Sequence, residues 1–237
     1  MHFLLTNDDG IHAPGIKALQ EAVAMLPDAR ITVVAPATEQ SMCGHRVTTH
    51  GPLHVEELAS DRFAVQGTPA DCVRIALFGL GLQPDFVLSG INQGGNLGQD
   101  IVISGTMAAA REAAYHGRRA AGFSHYMIKG LPVDWARTAR WTAEFLPRLI
   151  GDSLSDGEFW NVNFPHLPPE NQALPEAHST VPARSPLNVE FAKAEPQDTP
   201  HLTEYLYTAS YAGRPQDEGS DVQACFSGAV SISRLRI

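Results

Sequence analysis

The N-terminal stretch Phe3-Leu4-Leu5-Thr6-Asn7-Asp8-Asp9-Gly10 constrains this chain more than any other. A short apolar run ended by a turn signal predicts a buried parallel strand. In an open α/β sheet, ligands sit beyond the carboxyl ends of the strands. Asp8 and Asp9 therefore stand where such a fold does its chemistry. Adjacent carboxylates raise each other's cost of ionising, and a bound cation removes that cost. The same residues are also good turn formers, since Asn and Asp bond their own backbone and Gly accepts a positive φ. Whether other loops converge on this point decides between the two readings.

The rest of the chain supplies such loops. Pro14 suits a first helical turn, and Ile16, Leu19, Val23 and Leu26 recur at helical spacing up to Pro27. Residues 31–35 form a second buried strand, and 53–55 and 62–65 two shorter ones. Thr68-Pro69-Ala70-Asp71 carries a capping box with proline at the first helical position. Residues 85–89 are the third core strand, followed by a glycine-rich loop over 90–98. Ser104-Gly105-Thr106 opens an alanine-rich helix that ends near Gly117. A strand over 120–123, a helix over 132–150 and a strand over 159–164 follow. Residues 165–218 hold nine of the 17 prolines and little helical periodicity, so they read as an extended arm, with a strand over 202–211. Residues 229–232 return a last strand to the sheet.

Strands alternating with helices imply a mostly parallel sheet covered on both faces, joined by right-handed crossovers. With the first strand central, the second strand and the one ending at Ser89 flank it. The chain reverses across the sheet there, which makes a topological switch point. Asp8, Asp9, Ser41 and Asn92 all lie just past strand ends that meet at this point. Two carboxylates, a hydroxyl and an amide carbonyl suit Mg²⁺ or Mn²⁺, with waters completing an octahedron. Asp8 and Asp9 are also the catalytic candidates. Ser104, Gly105 and Thr106 can offer a phosphate free N–H groups and hydroxyls at a helix start, or simply cap the helix. Glycines in the 90–98 loop permit close approach of a ligand, and Asn96 adds a polar group there. This loop lacks G-x-G-x-x-G spacing and follows the third strand, which excludes a dinucleotide reading.

Composition narrows the partners. The net charge is −9 with no basic cluster, which argues against a nucleic-acid duplex. Cys43, Cys72 and Cys225 are far apart and form no C-x-x-C pair. That argues against paired-cysteine zinc and a disulfide framework and fits a reducing cytoplasm. Neither a signal peptide nor an apolar run of about 18 residues is present, so no membrane segment is expected.

Taken together the motifs resemble the SurE family of metal-dependent 5′/3′-nucleotidases. The residues that carry the resemblance are Thr6-Asn7-Asp8-Asp9-Gly10 with Ala13-Pro14-Gly15, and Val34-Ala35-Pro36 with Ser41. Further matches are Gly67-Thr68-Pro69-Ala70-Asp71-Cys72-Val73, Ser89-Gly90-Ile91-Asn92, Asn96-Leu97-Gly98 and Ser104-Gly105-Thr106. Asn161-Val162-Asn163-Phe164-Pro165 and residues 219–235 extend the match to nearly the whole chain. The resemblance implies a Rossmann-like three-layer α/β sandwich over 1–164, an oligomerising arm over 165–218 and a return strand in 219–237. It implies one divalent metal ion per subunit on Asp8, Asp9, Ser41 and Asn92. It also implies hydrolysis of nucleoside 5′- and 3′-monophosphates, in some members short polyphosphate, by a homodimer or homotetramer. This chain departs from the family pattern in the loop 37–40, which lacks the usual charged residues, and in Gln93-Gly94-Gly95, which lacks a proline. It also stops at Ile237, without the C-terminal extension of many members. Rival readings are a nucleotide-binding regulatory protein without turnover and a metal-holding nucleotide-sugar transferase.

Overall fold

The computed structural model describes residues 1–194 and 201–237; residues 195–200 of the expected arm lie outside the described residues. Its first strand, β1 (His2–Thr6), runs through the middle of a nine-stranded sheet. The other members are β2 (Arg30–Pro36), β3 (Val55–Ala59), β4 (Arg62–Val65), β5 (Phe86–Gln93), β6 (Arg119–His125) and β7 (Glu158–Phe164), with β8 (Ala177–Thr180) and β11 (Val230–Arg236) from the C-terminal part. A separate antiparallel pair is made by β9 (Phe191–Lys193) and β10 (Tyr205–Tyr207). The sheet order is β3-β4-β2-β1-β5-β6-β7-β11-β8. Pairing is parallel except at β3–β4 and β7–β11. As expected from the sequence, β2 and β5 flank β1, so the switch point lies at its carboxyl end.

Helices α1 (Pro14–Ala24), α2 (Pro69–Arg74), α3 (Asp100–Ile103), α4 (Gly105–Tyr115), α5 (Trp135–Gly151) and α6 (Asp221–Phe226) surround this sheet. Alternate residues of a strand face opposite sides. Phe3 and Leu5 point to a core shared with α1 and α5, including Leu19, Trp141 and Phe145. Leu4 points to the other core, shared with α2 and α4 through Val73, Met107 and Ala110. The architecture is therefore a three-layer α/β sandwich. The small side chains of α4 let it lie close to the sheet. A Cβ on Gly122 of β6 would stand 2.5 Å from the Met107 sulfur. The Thr68/Asp71 capping box forms at the start of α2 as read.

Several boundaries differ from the sequence expectation, each for a physical reason. The strand expected at 85–89 runs on to Gln93, and its register against β6 shifts between Ser89 and Asn92. Such a bulge re-aims the residues beyond it. Gly90 makes it possible: its φ is +137°, and a Cβ there would lie 2.3 Å from the Phe123 carbonyl oxygen. The strand expected at 53–55 is instead the exposed edge strand β3, while Leu53 packs on the second core. The helix expected from Pro132 starts at Trp135, because Asp134 caps it by accepting the Arg137 N–H at 2.9 Å. Of the strand expected at 202–211, residues Tyr205–Tyr207 pair with β9. Not all of 165–218 stands apart from the core, since β8 pairs in parallel with β11 in the main sheet. Among the described residues no helix is long and apolar enough to cross a membrane.

Candidate functional site

Past β1 the chain turns sharply. Asn7 Nδ2 donates to the Gly10 carbonyl at 2.8 Å, and Gly10 takes a φ of +100°. This turn aims Asp8 inward, where it is 4% exposed. The Thr106 hydroxyl, in the first turn of α4, donates to Asp8 Oδ1 at 2.5 Å. Burial raises the Asp8 carboxyl to about 6; the Thr106 hydrogen bonds pull the other way and the charge of Asp9 adds to the rise. Asp9 is half-buried, and its Oδ2 accepts the Gln93 N–H at 3.0 Å. Burial pushes Asp9 upward too, opposed by the Gln93 N–H and assisted by the Glu39 carboxylate. The Gln40 N–H reaches the Asp8 carbonyl at 2.7 Å. Segments from the ends of β1, β2 and β5 and from the start of α4 are thus tied to one pair of aspartates, the β2 segment through the Asp8 backbone carbonyl.

The remaining candidate ligands are placed differently from one another. Asn92 lies beyond the bulge, and its Nδ2 donates to the Gly94 carbonyl at 2.8 Å. That bond leaves Oδ1, the atom a hard cation takes, as the acceptor to offer. Ser41 is exposed, and its hydroxyl donates to Glu39 Oε1 at 2.7 Å. Its loop is anchored to Asp8 through Gln40, but the Ser41 side chain bonds neither aspartate. Among the described residues no group of three or more His, Cys, Asp or Glu side chains forms a metal set. The candidate set is therefore two carboxylates, an amide oxygen and a hydroxyl. This all-oxygen chemistry fits a hard divalent cation, and two crowded, partly desolvated carboxylates gain from one.

The residues read as phosphate contacts divide in a way the sequence does not reveal. The Thr106 side chain is fully buried with its hydroxyl on Asp8, so it holds the carboxylate in place. Ser104 Oγ accepts the Met107 N–H at 3.1 Å and caps α4. Gly105 sits between them. A Cβ there would stand 2.8 Å from the Asp8 Cβ and 3.0 Å from the Cys43 sulfur, so the helix start approaches Asp8 closely because this residue has no side chain.

Asn96 is buried and firmly anchored. Its N–H donates to Asn163 Oδ1 at 2.8 Å, and its Nδ2 donates to Ser124 Oγ at 2.7 Å. Its carbonyl accepts from Asn161 Nδ2 at 2.9 Å and Asn163 Nδ2 at 3.2 Å. Sequence reasoning gave Ser124, Asn161 and Asn163 no part in the site. The signal was there for the last two: asparagines two apart in an apolar strand present both amides on one face.

The Ser41 loop has a further anchor. Glu112 of α4 is buried and accepts from His45 Nε2 at 2.6 Å, Arg74 Nε at 2.5 Å and His116 Nε2 at 2.9 Å. Burial pushes the Glu112 carboxyl up, but these three donors outweigh it and hold it at about 2. His45 is thereby a structural tether of the loop, bonded to Glu112 and Arg111 and, among the described residues, to neither Asp8 nor Asp9.

Comparison with known proteins identifies the family and the fold. The family model described as Survival protein SurE matches residues 3–188. A relative from Nostoc sp. is 45% identical over 237 residues, covering 100% of each chain. A protein of Geotalea uraniireducens named 5′-nucleotidase SurE is 37% identical over 239 residues, covering 100% of this chain and 93% of its own. The crystal structure of the SurE protein from Aquifex aeolicus superposes with a TM-score of 0.86 at 32% identity, covering 100% of this chain and 93% of that one. With the family match spanning most of the sequence and the fold shared end to end, the chain belongs to the SurE family.

Proposed function

We propose that the chain is a divalent-metal-dependent phosphomonoesterase that hydrolyses nucleoside 5′- and 3′-monophosphates to nucleoside and phosphate. The observation that carries this reading is the pair of partly desolvated carboxylates, Asp8 and Asp9, held at the switch point by Thr106 and the Gln93 N–H. Relatives named 5′-nucleotidase SurE support the substrate class. Asp8, Asp9, Ser41 and Asn92 would hold one Mg²⁺ or Mn²⁺ per subunit. A divalent cation there supplies a water of lowered pKa and polarises a phosphate oxygen.

The chain's own residues do the rest. Asp8, buried and bonded through Oδ1 to Thr106, is positioned as a ligand and is poorly placed to attack phosphorus. This favours water over an aspartyl-phosphate route. Asp9, the more accessible carboxylate, receives the proton of the attacking water. Asn96 and the Ser104–Gly105 end of α4 face the phosphate, with Thr106 acting on it only through Asp8.

Phosphate release from a panel of mononucleotides, with Mn²⁺, Mg²⁺ or a chelator, tests this. We expect turnover of several 5′- and 3′-monophosphates, loss of it with chelator, and little attack on cyclic nucleotides or bis(p-nitrophenyl) phosphate. Nucleotide binding without release would favour the regulatory reading.

The arm supports an assembly. Phe191, Tyr205, Leu206 and Tyr207 of the β9–β10 pair are exposed, and apolar patches of this kind mark interfaces. We infer a homodimer or homotetramer, in the cytoplasm, whose contact includes this pair. Light scattering at micromolar concentration should give at least twice the monomer mass of 25.6 kDa; a monomer rules it out.

A further inference from the structure

The segment that follows β10 reaches back to the loop that carries Asn96. Tyr211–Gly213 forms a single 3₁₀ turn, and Arg214 comes next. Arg214 is 3% exposed. Its Nη1 donates to Asp100 Oδ2 at 2.6 Å and its Nη2 to the Leu97 carbonyl at 3.1 Å. The Tyr211 hydroxyl donates to the same Asp100 oxygen at 2.7 Å. The guanidinium also lies 4.8 Å from the centre of the Tyr211 ring. From the other side, Asp221 accepts the N–H groups of Gly98 and Ala183, each at 2.8 Å. Gly98, at φ +53°, fits because a Cβ there would stand 3.0 Å from the Ala183 carbonyl and 3.2 Å from Arg214 Nη2. The loop from Leu97 to Asp100 is therefore gripped by residues from the last quarter of the chain.

We propose that Arg214, Tyr211 and Asp100 form a brace that sets the position of Asn96 for the phosphate ester. This rests on the proposed nucleotidase reading. None of the three is a catalytic residue here: each is a positioning residue. A buried ion pair adds little net stability, but removing one partner leaves the other's charge buried and uncompensated. The Leu97 carbonyl and the Gly98 N–H belong to one peptide unit beyond Asn96, and both are held from this C-terminal side, the first by Arg214 and the second by Asp221. Loss of the brace releases the Leu97 carbonyl and the Asp100 end of the loop. Asn96 is left to its bonds with Asn161, Asn163 and Ser124, and the Gly98 N–H to Asp221. Asp8 and Asp9, tied to α4 and Gln93, stay where they are. Substrate engagement should suffer and cation binding should not.

The test uses the full chain with Arg214→Gln and Tyr211→Phe. Tyr211→Phe removes one hydroxyl and keeps the ring packing, so it is the variant that folds if Arg214→Gln does not. The readouts are KM and kcat for a nucleoside monophosphate, Mn²⁺ affinity by electron paramagnetic resonance, and amide hydrogen exchange over residues 94–100. For Arg214→Gln we expect KM to rise roughly 10–100-fold, the scale of losing a hydrogen bond made by a charged group, with Mn²⁺ affinity unchanged. Exchange protection over 94–100 should fall. Tyr211→Phe should shift both in the same direction by a smaller factor. Unchanged KM in the folded variants, or a lowered melting temperature with KM and protection intact, would overturn the brace. If the wild type releases no phosphate from any monoester, the nucleotidase reading fails. Exchange alone then decides the brace: lost protection supports it and retained protection overturns it.

Discussion

Asp8→Asn should lower phosphate release by roughly 10²–10³-fold, the cost of losing one charge-stabilising group, while making the metal-free protein more stable. The two effects have one cause. Burial raises the Asp8 carboxyl from 3.8 to about 6. The folded state thus holds a proton that the unfolded chain has already released, so stability falls as pH climbs through that interval and the penalty is complete above it. A shift of that size corresponds to about 3 kcal/mol. Asparagine keeps an acceptor for the Thr106 hydroxyl but carries no charge. In chelator at pH 7.5 the variant should melt roughly 5–10 °C above the wild type. The difference should vanish below the unfolded value of 3.8. Adding Mn²⁺ should stabilise the wild type by mass action and narrow or reverse the gap. Asp9→Asn should lose activity in the same way. Calorimetry across pH and a phosphate-release assay check both. Near-native turnover in either variant, or a wild type indifferent to chelator, would remove the cation from the reading.

Gly105→Ala should be nearly as damaging to activity, with the fold retained. The added methyl would lie 2.8 Å from Asp8 Cβ and 3.0 Å from both Asp8 Oδ2 and the Cys43 sulfur. Asp8 Cβ sits next to the backbone, so no rotamer change relieves the contact and the strand end itself must move. A displacement near 1 Å at a reacting group costs on the order of 100-fold in rate. Cation affinity should weaken with it, since Asp8 is the buried member of the proposed ligand set. Alanine is a better helix former than glycine, so α4 itself does not suffer. Gly151→Ala is the control: a Cβ there meets nothing within 4 Å, and activity should be unchanged. Equal kinetics and Mn²⁺ affinity in Gly105→Ala and the wild type would show that Asp8 does not depend on this close approach.

The extent to which the sequence reveals this molecule follows the range of the interactions involved. Apolar runs, helical spacing and the Thr68/Asp71 capping box are local patterns, decided within a few residues. They were enough to predict the alternating strands and helices and, once β1 is taken as central, the switch point beyond it. The adjacency of Asp8 and Asp9 is written in the chain as well. Tertiary structure decided what those residues touch. The Thr106 hydroxyl meets Asp8 across 98 positions, and no periodicity announces that a residue fit for phosphate is already bonded to a carboxylate. The bulge that re-aims Asn92 depends on how closely Gly90 can approach Phe123 on the neighbouring strand. Asp100 and Arg214 are 114 residues apart, and their pairing exists only because β11 and β8 carry the C-terminal part back beside the glycine loop. Local propensity is a property of the chain. A hydrogen bond between distant residues is a property of the topology that brings its donor and acceptor within 3 Å.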